Sequence, residues 1–206
     1  MGTFTWQEQD APPKTIRVTF TVLLRDEWVP LDTCSDDIGG TVDGYLAEDR
    51  LSCCAFQGGF LFEVDGVPWN DDGAIDEFRM TMTWFGALNR LCQGDGKQEV
   101  WAWEESRLTL IREGMWLDMD DIHHSGHVVM PRLRVPFVAF TEEVLREATR
   151  FAGFVWDIRE EVNRRRSAGV SDDVEHKLAE IARNMPADID GKLAELRLSL
   201  DSADHG

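Results

Sequence analysis

The sequence predicts an α+β fold: a mainly antiparallel β-sheet packed by one long amphipathic helix, with a helical appendage at the C-terminal end. Three observations carry that expectation. Ile16, Val18, Phe20, Val22 and Leu24 alternate with Arg17, Thr19 and Thr21, the period of a strand with one buried face. Residues 107–135 repeat the alternation in a three-stranded meander, through Leu108 and Leu110, then Met115, Leu117 and Met119, then Val129, Leu133 and Val135. Phe140, Val144, Ala148, Phe151, Val155, Ile158 and Val162 recur at steps of four and three, which sets them on one face of a helix. Residues 1–166 are read as the sheet-plus-helix domain and 167–206 as the appendage.

Taken in order, residues 1–14 are polar, contain Pro12-Pro13 and read as a loose tail. Residues 16–24 form a strand, and 28–31 return as a short second one. Residues 32–50 read as a loop with a helical turn near Tyr45, because Gly39, Gly40 and Gly44 stand among acids. Residues 51–56 and 60–65 suggest a hairpin across Gln57-Gly58-Gly59. Residues 67–73 form a turn-rich loop carrying Trp69, Asp71 and Asp72. Phe78, Met80, Met82 and Trp84 alternate with Arg79, Thr81 and Thr83, so 78–84 reads as a strand; a helix over 75–92, through Ile75, Phe78, Met82 and Phe85, is the alternative. In the meander, a hairpin centred near Ser125 places Asp118 opposite Arg132, and Pro131 marks an edge strand. Thr141 is the expected N-cap of the long helix, and Arg164, Arg165 and Arg166 close it, where cations suit the dipole. Ser171 caps a second helix with the stripe Val174, Leu178, Ile181 and Met185, which Pro186 stops. A third follows through Ile189, Leu193, Leu196 and Leu200. These two either fold onto the long helix or join two copies of the chain in a homodimer through residues 167–206.

The formal charge is −18 over 206 residues, and it is uneven: residues 1–73 hold 14 acids against 4 bases. Phosphate recognition needs clustered Lys and Arg, so nucleic acid is excluded as an expected ligand, and anionic membrane surfaces likewise. No apolar run reaches the roughly 18 residues of a membrane span. Residues 1–10 show no secretory signal, and Cys34, Cys53, Cys54 and Cys92 make no CxxC pair, so reduced thiols in a cytoplasmic protein are expected.

The sequence holds no G-x-S-x-G elbow, no G-x-G-x-x-G or G-x-x-x-x-G-K phosphate loop, no HExxH and no calcium-loop spacing. Catalysis is therefore not the expected role, and no cofactor is expected. One metal alternative exists. Asp121, His123 and His127 combine imidazole with carboxylate in a short stretch, although Gly126 argues against the helix that would align the two histidines.

What is left is binding. Asp36, Asp37, Asp71 and Asp72, with Trp69 as aromatic anchor, form the candidate contact for a basic protein partner, since an acidic field steers a cationic one. The general plan of an acidic, motif-poor α+β chain resembles that of bacterial immunity proteins that neutralise toxins. The resemblance covers no specific motif and implies no residue role.

Overall fold

The computed structural model describes residues 15–25, 27–47, 56–69, 77–103, 106–123 and 132–203. The fold is α+β; the described residues form eight strands, in two antiparallel four-stranded sheets, and six helices. The first sheet runs β2-β1-β3-β4: β1 (Ile16–Leu24), β2 (Glu27–Pro30), β3 (Gly58–Val64) and β4 (Val67–Pro68). The second is a meander in chain order: β5 (Gly96–Trp103), β6 (Ser106–Glu113), β7 (Trp116–His123) and β8 (Leu133–Pro136). The helices are α1 (Leu31–Asp36), α2 (Ile38–Ala47), α3 (Phe78–Cys92), α4 (Phe137–Ser167), α5 (Asp172–Asn184) and α6 (Ile189–Ala203).

The period-two residues do what their spacing requires. Val18, Phe20 and Val22 of β1 are fully buried, as are Leu108, Leu110, Leu117 and Val135 of the meander. All seven stripe residues of α4, from Phe140 to Val162, are buried. One continuous core joins the two sheets through aromatic contacts. Phe20 stacks on Phe151 of α4 at 4.2 Å between ring centroids. Phe62 of β3 lies 5.4 Å from both Trp84 of α3 and Phe140 of α4. Such pairs add specificity of geometry to a large buried area.

Several local expectations are corrected. Residues 31–47 are helical rather than a loop, because Leu31, Cys34, Val42 and Tyr45 form a buried face at helical spacing. The glycines there serve packing and capping. A Cβ on Gly44 would come within 2.7 Å of Leu24, and Asp37 caps α2 by accepting the Gly40 N–H at 2.9 Å. Residues 78–84 belong to α3. Met80 and Met82, which suggested alternation, are only half-buried, while Phe78, Thr81, Trp84, Phe85, Leu88 and Leu91 give the true three-and-four period.

Gly58 and Gly59 are strand residues paired with Val22 and Thr21, not a hairpin turn. A Cβ on Gly58 would sit 2.8 Å from the Thr21 carbonyl oxygen, so this strand needs glycine for close approach. Residues 51–55 lie outside the described residues. Asp118 faces Arg134 across the β7–β8 ladder, two positions from the predicted partner, yet Arg132 still reaches it. Finally, α4 begins at Phe137, and Thr141 lies one turn inside it, donating its hydroxyl to the Phe137 carbonyl at 2.8 Å. Pro136 starts the helix instead, in an extended conformation (ψ 124°) that proline tolerates there.

The appendage helices fold back on their own chain. Leu178, Ile181, Met185, Ile189, Leu193, Leu196 and Leu200 are all buried, and α6 packs on α3 and α4.

Candidate functional site

α4 organises the charge of the molecule as well as its core. Ladder partners for β1 run out on one side: β2 pairs only with Thr21–Leu24. The open edge from Val18 to Phe20 is closed by side chains of α4. The Val18 N–H donates to Glu143 Oε2 at 3.4 Å, the Phe20 N–H donates to Glu147 Oε2 at 3.2 Å, and Arg146 donates to the Val18 carbonyl at 3.1 Å. Acceptor and donor thus alternate as on a neighbouring strand, and no pairing edge is offered there. Glu147, 1% exposed, is balanced by Arg146 at 2.8 Å and Arg150 at 2.7 Å, and Arg150 also pairs with Asp32 of α1.

The far end of α4 is tied down in the same way. Arg165 bridges Glu161 at 2.6 Å and Asp43 of α2 at 2.5 Å, and donates to the Gly39 carbonyl at 2.9 Å. Hydrogen bonds from Arg164 and Arg165 hold the Glu161 carboxyl down at about 2. Arg166 pairs with Glu175 of α5, and Lys177 donates to the Leu46 carbonyl. On the second sheet, buried Asp118 takes Arg132 at 2.7 Å on Oδ2, with Arg134 Nε 3.1 Å from Oδ1, in ion-pair reach but off the hydrogen-bond axis. Arg107 pairs with Glu99 and covers the Trp101 ring at 4.8 Å.

Most of the described cations are therefore paired, the majority of them at the surface. A set of carboxylates is not. Glu27, Asp36, Glu142, Asp157, Glu160, Asp172 and Asp173 are exposed, and no basic side chain among the described residues lies within 4 Å of any of them.

One aromatic stands among those acids. Trp156 of α4 is 50% exposed, one residue round the helix from buried Val155. Its Nε1–H donates to Asp190 of α6 at 2.8 Å. The Arg159 guanidinium lies 5.7 Å from the ring centroid and is itself fixed on the Met185 and Pro186 carbonyls. Glu160 follows Trp156 by one helical turn, so the two share a face.

The sequence-predicted contact residues are dispersed. Asp36 and Asp37 sit exposed at the α1–α2 junction, beside the β2 edge of the first sheet, and Asp37 is engaged as a helix cap. Trp69 follows β4, at the opposite edge of that sheet, and is 4% exposed. Its N–H donates to the Phe62 carbonyl at 2.8 Å, and its ring lies 5.9 Å from Phe62, so the indole is spent on the core. Asp71 and Asp72 lie outside the described residues. Trp156 was legible but overlooked: a tryptophan set off the apolar stripe of a strongly amphipathic helix has to face water or a partner.

Of the metal alternative, Asp121 and His123 belong to the end of β7, and His127 lies outside the described residues. Among the described residues no three His, Cys, Asp or Glu side chains gather as a metal site. Cys34 and Cys92 are buried free thiols, and burial pushes the Cys92 thiol up to about 11, far from a nucleophile's range. No described helix is long and apolar enough to cross a membrane. No protein-family model matches the chain, and no curated protein or solved structure matches it.

Proposed function

We propose that the chain is an acidic protein-binding module whose partner is a basic protein, in the manner of an immunity-type protein that neutralises its target. The observation that supports this reading is the asymmetry of pairing. Most described arginines and lysines are paired with carboxylates or carbonyls, while a surplus of carboxylates is left facing solvent with no described counter-charge. A surface of one sign raises the encounter rate with a partner of the other sign and repels like-charged competitors. Asp36 contributes to that field, and Asp71 and Asp72 are candidates to do so by their place in the sequence. No catalytic step belongs to the reading.

The test is to recover partners of the tagged full-length chain at low ionic strength, then measure association of the purified pair as salt is raised. The expected partner is basic, and its association rate constant falls by about tenfold or more as the field is screened. Association indifferent to salt, or recovery of acidic partners alone, would refute the proposal.

A further inference from the structure

Gly153 poses the question. It sits in the middle of α4, exposed, and a Cβ built on it meets nothing within 4 Å. Glycine inside a helix costs roughly 0.5–1 kcal/mol relative to alanine. Among the described residues no neighbour requires that cost here, unlike at Gly44 or Gly58. The glycine lies one turn before Trp156, on the same face.

From this we infer that the face of α4 carrying Gly153 and Trp156 docks an arginine-bearing segment of a basic protein. The inference rests on the acidic-module reading and names where and how that module grips. Trp156 supplies an aromatic surface already held in place by its hydrogen bond to Asp190, so little side-chain freedom is lost on contact. Gly153 leaves a shallow notch in which a partner's backbone approaches the helix. Glu160, one turn beyond Trp156, and Asp157, one turn beyond Gly153, flank the ring with exposed carboxylates.

The chemistry selects the occupant. Asp157, Glu160 and Asp190 outnumber Arg159, and Arg150, one turn before Gly153, is already paired with Glu147 and Asp32, so phosphates and acidic peptides meet net repulsion. A second copy of the chain brings −18 against −18. Lysine answers the charge and meets the ring only as a compact, strongly hydrated point charge. Arginine answers the charge, lies flat on an indole and offers a fork to a carboxylate. The molecule already shows a guanidinium of its own beside this ring, on Arg159.

The experiment titrates the full-length chain with nona-arginine and with nona-lysine, two probes of equal charge, by calorimetry at low ionic strength. The parent chain should prefer nona-arginine by about two- to fivefold, the worth of an exposed cation–π contact. Trp156→Leu should sharply reduce that preference, leaving only what the carboxylate fork supplies, while the variant still unfolds cooperatively. Gly153→Ala should melt higher than the parent yet bind nona-arginine more weakly, a split that a merely structural glycine would not give. In parallel, the indole N–H resonance missing from the spectrum of folded Trp156→Leu should shift in the parent spectrum on adding nona-arginine. Preference for arginine undiminished in Trp156→Leu, unchanged affinity in Gly153→Ala, or a stationary Trp156 resonance overturns the inference. If both peptides bind but equally, this docking site falls and the acidic module stands; if neither binds, the module reading falls with it.

Discussion

At Glu147, a carboxylate 1% exposed takes the Phe20 amide and two guanidiniums at once. Its two arginines are half-exposed and keep Glu143 and Asp32 as partners, so what its loss would leave behind is the buried Phe20 N–H without an acceptor. A buried donor left unsatisfied costs about 1–3 kcal/mol. Glu147→Ala should therefore lower the urea-unfolding free energy by about 1–3 kcal/mol, and Glu147→Gln, which keeps an acceptor, by less. A loss within experimental error in Glu147→Ala would mean that the β1 edge is not held by this residue. Glu161 gives a pH signature. Its folded value of about 2 lies below the ordinary 4.5, so the stability it adds is complete above the ordinary value and is lost as pH falls towards 2. Melting temperature against pH should show that acid limb in the parent and a shallower one in Glu161→Gln. Superimposable profiles would assign the acid sensitivity to other carboxylates.

Among the elements, α5 and α6 behave as part of the core. Seven of their apolar side chains, or those beside them, are buried, from Leu178 to Leu200. At about 1.5–3 kcal/mol per buried large side chain they bring on the order of 10–20 kcal/mol of burial, which matches or exceeds the usual net stability of a domain. A chain ending at Ser167 should accordingly lose its near-ultraviolet circular dichroism and aggregate. A well-folded monomer from that truncation would instead make residues 167–206 a separable appendage.

What the sequence made legible follows from locality. β1, the meander and α4 were readable because one buried face repeats over enough residues to outweigh chance. α1 and α2 were hidden by Gly39, Gly40 and Gly44, whose roles in capping and close packing are invisible without their neighbours Asp37 and Leu24. α3 was misread because seven residues, 78–84, fit both periods until the longer window is taken. At the candidate site, Asp36 was found exposed as expected, Trp69 went to the core, and Trp156 took its place on the surface. Burial of a loop tryptophan depends on which strand it follows, and composition carries no trace of that.

On the scale of the whole molecule, charge and topology meet in α4. The same helix that packs against β1 and β8 pairs its own arginines with carboxylates and leaves Glu142, Asp157 and Glu160 exposed. Its edge-closing side chains reach Val18 and Phe20 from 125 to 128 positions further along the chain. A ribosome adding about 5–20 residues per second needs ~6–25 s to travel that distance. For all of that time the first strand is outside the tunnel with its bare amides on offer. Nascent-chain helpers that shield extended segments have their longest task at this strand, and release becomes possible only once the long helix has emerged.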